Sequence, residues 1–575
     1  MGDQLSVKAR LVQLTISGGG RNPPLMEVSL YIVRLVDLKN ERKFQIKGEI
    51  KMTNITSIPP YKNEPFTDFT KVENQHAMEA AIQKVKGELG KTFPLVIGKD
   101  KIITEEKTVS INPANVDEVI GKVSKGNKEY AEKAMQEALH TFETWKKVEA
   151  SERAEYLFKA AKLMRERKHE FSAYLILESG KNWAEADADT AEAIDFLEFY
   201  GREMLRLSET SIHQPLYPTG GEIDNKITYI PLGVGIVISP FNFPLAIMAG
   251  TTVAGVVSGN TVILKPSDNT PVVAAKFVEL MEEVGLPSGV INYLPGDSLE
   301  VGEYLVEHPK TRFISFTGSR AVGCRIYERA SVVQPGQIWL KRIVAEMGGK
   351  DGIVVDETAD LDAAAEAIVA AAFGFQGQKC SAGSRAIIVE SVYDEVVEKV
   401  VARTKNLAIG LPETNAAVGP VIDEKALNKI LGYIEIGKDE GKLVTGGSRA
   451  KGNGYYMEPT IFADVPADAR IMKEEIFGPV LAICKVPDWK TGIKVYNDTD
   501  YGLTGSFFST KEDRIEYALE NQHCGNLYIN KKCTGALVGV HPFGGFNMSG
   551  TDSKAGGFDY LLLFTQAKLS TRRVL

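Results

Sequence analysis

Residues 231–264 read PLGVGIVISPFNFPLAIMAGTTVAGVVSGNTVIL, without a single charged side chain. A membrane-spanning helix needs about 20 apolar residues in one piece. Here Pro231, Gly233, Gly235, Pro240, Pro244, Gly250, Gly255 and Gly259 break the run. The segment therefore reads as buried strand, turn, buried helix, turn and buried strand. Strands apolar on both faces belong to a parallel sheet covered by helices on each side, so this stretch places the chain in the α/β class.

The same alternation continues outward. TVILKPS (261–267), VINYLPG (290–296), RFISFTGS (312–319) and RIVAEMGG (342–349) read as strands, and VAAKFVELMEEVG, EVGEYLVEH and VGCRIYERAS as the helices between them. Ligands of such sheets bind at the carboxyl ends of the strands. Asn242, Lys265 and Ser319 stand there. A second alternating run opens at DGIVVDE (351–357). Residues 360–380 are expected to form a helix that ends at Cys380, followed by the strand SRAIIVE and the helix YDEVVEKVVARTKNLA. From about Met78 to Tyr200 the spacing is largely helical, with Ser151 and Glu155 as a start signal for one helix. Residues 208–229 and 541–575 read as extended arms.

Composition bounds the function classes. The chain has 575 residues, 44% hydrophobic and 25% charged, with a net charge of -8. That length implies two or more domains. No basic block suggests nucleic acid or a membrane surface. Five cysteines (324, 380, 484, 524, 533) form no CxxC pair, which suits free thiols in a reducing, cytoplasmic setting. The first fifty residues carry the breakers GGGR and NPP, and no basic region followed by an apolar run marks a signal peptide. KGEIKM (47–52) could be encoded by a ribosome-binding sequence before a start codon. Met52 is thus the expected natural start, with residues 1–51 a non-native or flexible extension.

Chemistry centres on QGQKCSAGS (376–384). Cys380 sits among small and polar residues instead of the apolar ones that bury a structural thiol. GxGxxG, the P-loop, HExxH and paired metal-ligand spacings are all missing, so no metal is expected. A free thiol is only a few per cent ionised at neutral pH. None of the seven histidines lies in a glycine-framed loop, and His541 precedes a proline. What does recur at strand ends is an amide, Asn242 in SPFNFP, and a carboxylate, Glu346 in AEMGGK. An amide can hold an oxyanion and a carboxylate can act as base. A turn residue and a helix cap are the alternative readings of the two.

PFNFP, KPSD, FTGS, EMGGK, GQKC and EEIFGPV follow in one order over about 240 residues. Together they resemble the aldehyde dehydrogenase superfamily, from about residue 58 onward. GQKCSAGSR, TGALVG (534–539) and PFGGFNMSG (542–550) resemble its branch that oxidises glutamate γ-semialdehyde to glutamate in proline breakdown. Met347 replaces the Leu usual in the superfamily's ELGGK.

The resemblance implies two doubly wound α/β domains and an oligomerisation arm. The cofactor domain would span 52–207 and 230–346, the catalytic domain 347–528, with 529–540 returning to the first; 208–229 and 541–575 would be the arm of a homodimer or larger homo-oligomer. It implies Cys380 as nucleophile, Asn242 with the Cys380 N–H as oxyanion donors, and Glu346 as the base that activates water. NAD is the implied cofactor, with NADP a second option because Asp268 stands where Glu is usual. Its contacts would be Ile238, Ser239, Pro240, Lys265, Ser267, Asp268, Phe316, Ser319, Gly348, Glu475 and Phe477. The substrate would be a small amino-acid semialdehyde, its carboxylate at Ser381, Gly535 and Ala536, its ammonium at Glu192, and its chain between Phe243 and Phe543. No proline dehydrogenase barrel precedes the motifs. Succinate semialdehyde oxidation and thiol-esterase action are the rival readings.

Overall fold

The opening segment folds as three short pieces: a strand Val234–Ile238, a helix Ala246–Val257 and a strand Thr261–Lys265. A computed structural model of the chain describes residues 58–209, 212–216 and 222–573. Expectations about Met52 and residues 1–51 fall outside the described residues. Tyr61 onward belongs to one compact unit. Residues 58–60, of the other unit, have no helix or strand.

Seven strands form the first sheet: β1 (Leu95–Ile97), β2 (Asp100–Ile102), β3 (Val234–Ile238), β4 (Thr261–Lys265), β5 (Ile291–Tyr293), β6 (Thr311–Thr317) and β7 (Arg342–Glu346). Their order across the sheet is β7-β6-β3-β4-β5-β1-β2. β3 to β7 are parallel, while β1 and β2 join antiparallel at the edge. Every residue of β4 is buried, as a strand with helices on both faces requires. The chain leaves β3 toward β4 on one side and reaches β6 on the other. The order therefore reverses between β3 and β6, and the crevice beyond their carboxyl ends is a topological switch point.

The second sheet contains β8 (Gly352–Val355), β9 (Arg385–Val389), β10 (Lys442–Thr445), β11 (Thr460–Ala463), β12 (Val480–Val486), β13 (Thr504–Phe508) and β14 (Asn526–Ile529). Their order is β10-β11-β12-β9-β8-β13-β14, parallel except at β10. The α/β expectation with two doubly wound sheets is met. A third sheet pairs Thr565–Arg573 with Glu222–Pro231, antiparallel. The tail before it, from Phe543 to Ala555, instead folds back onto β7: Gly550 bridges Glu346, and Phe543 bridges Ala555.

Three expectations need correction. Strands Lys91–Phe93, Leu95–Ile97, Asp100–Ile102, Lys107–Asn112 and Asn115–Ser124 interrupt the region read as helical. Three of them are only three residues long and two are separated by Gly98 at φ +58°, so no period develops. The helix assigned to Ser151 begins at Ala150, with Glu149 in the capping position. The helix before the thiol stops at Phe373. Asp360 opens it by accepting from Asp362 N and Ala363 N at 3.1 and 3.0 Å. After Phe373, Phe375, Gln376 and Gly377 all take positive φ (47°, 55° and 67°). This left-handed run swings Cys380 away from the helix axis. A Cβ on Gly377 would lie 2.3 Å from the Gly478 carbonyl, so the GQKC and FGPV motifs touch backbone to backbone.

Candidate active site

Asn242 comes from the loop after β3, and Cys380 from the loop before β9. The Asn242 Nδ2 donates to the Gln378 carbonyl at 3.0 Å, two residues before the thiol. Gln378 is itself fully buried, and its side-chain oxygen accepts from Ile422 N at 2.9 Å. Asn242 is 4% exposed, so this amide joins the first sheet's switch-point loop to the thiol's loop in a dry setting. It retains a second N–H for another acceptor.

Cys380 is half-buried. Burial pushes its thiol well above the ordinary range, and the neighbouring Asp351, Glu475 and Glu346 push it further; the Ser381 N–H acts the other way. The resting sulfur is therefore a protonated thiol. Both glycines of EMGGK serve this site. A Cβ on Gly348 would meet the Glu475 carboxylate at 2.2 Å, and one on Gly349 would lie 2.5 Å from the Cys380 carbonyl oxygen.

Glu346 ends β7, in register with Thr317 of β6. Its carboxylate accepts from the Ser553 hydroxyl and, at 3.4 Å, from Gly545 N. Burial raises its pKa to about 8 against the pull of these donors and of Lys554. It is thus a carboxylate of unusually high basicity.

A cavity of about 420 Å³ collects Cys380, Glu346, Ser381, Glu192, Phe243, Phe543, Gly535 and Ala536. Glu192 is raised to about 8, chiefly by burial and then by Asp189. The 535–536 turn that also lines the cavity is held open by Gly535 at φ +88°. Lys379 lines the cavity with its charge met by Glu185 at 2.6 Å.

The residues expected to contact a dinucleotide lie outside this cavity, along the strand ends of the first sheet, except Glu475 and Phe477, which come from the loop before β12 of the second. Ile238, Ser239 and Pro240 close β3. Lys265 closes β4, 2% exposed, and reaches Asp268 Oδ1 at 3.4 Å; Ser267 lies between them. Phe316 is buried at the end of β6, and Ser319 caps the helix Arg320–Ser331 by accepting from Val322 N at 3.4 Å. That helix N-terminus faces the switch point, a favourable place for a phosphate. Glu475 accepts from Gly349 N at 3.2 Å, and Phe477, at φ +60°, meets Phe241 edge-on at 5.8 Å. The capped helix, bare Gly318 and partly freed Asp268 fit a dinucleotide.

Residues 102–570 match the Aldehyde dehydrogenase family. The chain is 62% identical over 512 residues to the 1-pyrroline-5-carboxylate dehydrogenase of Bacillus subtilis (strain 168), covering 89% of this chain and 99% of that protein. It is 61% identical, over the same shares, to the 1-pyrroline-5-carboxylate dehydrogenase of Geobacillus thermodenitrificans (strain NG80-2). A crystal structure of 1-pyrroline-5-carboxylate dehydrogenase from Thermus with bound NAD superposes with a TM-score of 0.89 at 50% identity, over 90% of this chain and 100% of that one.

The chain belongs to the aldehyde dehydrogenase family.

Several cavity residues of this aldehyde dehydrogenase escaped the sequence reading. Asp195 lies one helical turn beyond Glu192 and accepts from Asn63 Nδ2 and Glu64 N at 2.8 and 2.6 Å. Phe66 and Thr67 form part of the wall, held by Asp187, which accepts from Thr67 N at 2.8 Å. No motif marks that N-terminal segment. Lys532 and Thr534 also line the cavity. Thr534 opens the TGALVG motif, so a signal for it was present. Among the described residues no cluster could hold a metal ion, and no helix is long and apolar enough to cross a membrane.

Proposed function

We propose that this aldehyde dehydrogenase oxidises L-glutamate γ-semialdehyde, the open form of 1-pyrroline-5-carboxylate, to glutamate. The carrying observation is that one cavity collects Cys380, Ser381, the Gly535–Ala536 turn and the half-buried Glu192. A zwitterionic amino-acid end matches that lining, with its carboxylate at the turn and its ammonium at Glu192. An arriving ammonium would return Glu192 to its charged form, because opposite charge lowers a carboxylate's pKa. The names of the relatives support the same substrate.

The chemistry runs through Cys380. Its sulfur gives up a proton to solvent water and bonds the aldehyde carbon, and the C=O electron pair moves onto oxygen. Asn242 and the Cys380 N–H hold that oxyanion, a donor of this kind being worth about 2.7–4 kcal/mol. NAD, held by Lys265, Asp268 and Ser319 at the strand ends and by Glu475 from the loop before β12, would supply the acceptor for the hydride that leaves the same carbon. A thioester remains on Cys380. Glu346 takes a proton from water, the hydroxide adds to the thioester carbon, and the C–S bond breaks to release glutamate and the thiolate. The Asp268 carboxylate accepts from a ribose 2′-OH and repels a 2′-phosphate, which favours NAD over NADP.

The finer assignments belong to the same reading. Residues 52–207 and 230–346 form the cofactor domain, 347–528 the catalytic domain, and 529–540 return to the first. Of the arm at 208–229 and 541–575, residues 543–555 fold back onto β7, and its core is the pairing of Thr565–Arg573 with Glu222–Pro231, through which the enzyme forms a homo-oligomer. Five free cysteines suit the reducing cytoplasm. A steady-state assay decides: racemic pyrroline-5-carboxylate and succinate semialdehyde, each with NAD and NADP, followed at the nicotinamide absorbance. A higher kcat/KM with pyrroline-5-carboxylate and NAD is expected; preference for succinate semialdehyde would reject the substrate.

A further inference from the structure

We infer that Lys532 and Thr534 select aldehydes bearing a carboxylate, as specificity-determining residues of the cavity lining beside the Gly535–Ala536 turn. The inference rests on the proposed substrate class and extends it to two side chains whose chemistry is otherwise unused. Two lysines line the cavity. Lys379 is neutralised by Glu185 at 2.6 Å, whereas Lys532, at the exposed rim, has no ion-pair partner among the described residues. The Lys532 stem lies against the anchor turn: a Cβ on Gly535 would sit 3.7 Å from its Cε. Between them in sequence stands Thr534, a cavity-lining residue 3% exposed, whose buried hydroxyl has no hydrogen-bond partner.

A buried hydroxyl left unpaired is costly, so its position calls for an acceptor that arrives with a ligand. An unpaired ammonium beside it makes that acceptor an anion. Gly535, at φ +88°, leaves the turn bare enough for a carboxylate to approach both groups and the backbone. Lys532 supplies the charge, Thr534 a hydrogen bond, and Gly535 the room.

The test compares 5-oxopentanoate, which keeps the carboxylate and lacks the ammonium, with pentanal, which lacks both, using the full chain and NAD. Lys532→Gln should lower the ratio of kcat/KM for 5-oxopentanoate over pentanal by about tenfold or more, the loss coming through KM, and Lys532→Arg should restore most of it. Thr534→Val should lower the ratio by about threefold. An unchanged ratio in both Lys532→Gln and Thr534→Val, or equal losses on both aldehydes, would overturn the inference. Wild-type enzyme assayed alongside on pyrroline-5-carboxylate separates the two readings. Failure to oxidise it rejects the proposed substrate; turnover with an unchanged ratio in the variants rejects the inference alone.

Discussion

The side chain of Asn242 and the main-chain carbonyl of Gln378 are joined by a 3.0 Å hydrogen bond between loops of two different sheets. One loop leaves the switch point of the first sheet. The other carries Cys380. The bond ties an amide donor to the thiol's loop, two residues before Cys380, and braces that loop ahead of the second sheet. Asn242→Ala should therefore lower kcat by about 10²–10³-fold, the usual cost of losing an oxyanion donor. It should also loosen the loop. Stopped-flow measurement of the first turnover checks this, and a kcat within a factor of about two of wild type would contradict the oxyanion role.

Glu346 gives the enzyme a pH signature. Its ordinary carboxylate pKa is raised to about 8 by burial. The charged form is the base, so thioester hydrolysis should rise as pH increases through about 8 and level off above it. Glu346→Gln should lose that rising limb together with most of kcat. Profiles of kcat against pH for both proteins test this, and an identical limb in the variant would assign it to another group.

Gly349 approaches the thiol's backbone more closely than any side chain allows. A Cβ there would lie 2.3 Å from Asp351 Oδ2 and 2.5 Å from the Cys380 carbonyl. Gly349→Ala should cost about 1–3 kcal/mol of stability by overpacking and displace the sulfur, with loss of turnover. Thermal melting and the rate of Cys380 alkylation report the two effects; wild-type values for both would show that the backbone yields without cost.

Lys181 is a buried cation with a structural duty. It is fully buried, pairs with Asp189 at 3.0 Å, and lies over the rings of Phe243 and Phe375 at 3.8 and 4.6 Å. Phe243 follows Asn242, and Phe375 sits in the left-handed run before the thiol. Lys181→Met leaves Asp189 buried without its cation and should cost about 3–5 kcal/mol. Lys181→Met/Asp189→Asn should recover part of it. Melting curves of both variants decide, and an unshifted midpoint in the single variant would contradict the pairing.

The sheets were legible where physics made the sequence simple. β4, buried along its whole length, reads as an unbroken apolar run, and its neighbours repeat the pattern. The glycine motifs were legible because a close backbone approach at Gly348, Gly349 and Gly377 admits no side chain. The strands Lys91–Phe93, Leu95–Ile97 and Asp100–Ile102 were not, since three residues carry no alternation. Nor was the turn before Cys380, where Phe375 and Gln376 adopt a left-handed backbone that neither residue type announces. Asp195 and Lys532 were missed for another reason: the tertiary fold alone brings them to the cavity, whereas Thr534 opens a quoted motif and was passed over.

Intact and peptide mass spectrometry of Glu346→Gln after mixing with NAD and pyrroline-5-carboxylate tests the central claim most directly. With hydrolysis slowed, the glutamyl group should accumulate on Cys380 and on no other residue, and Cys380→Ser should show neither adduct nor turnover. An acyl group found on a different side chain, or undiminished oxidation by Cys380→Ser, would contradict it.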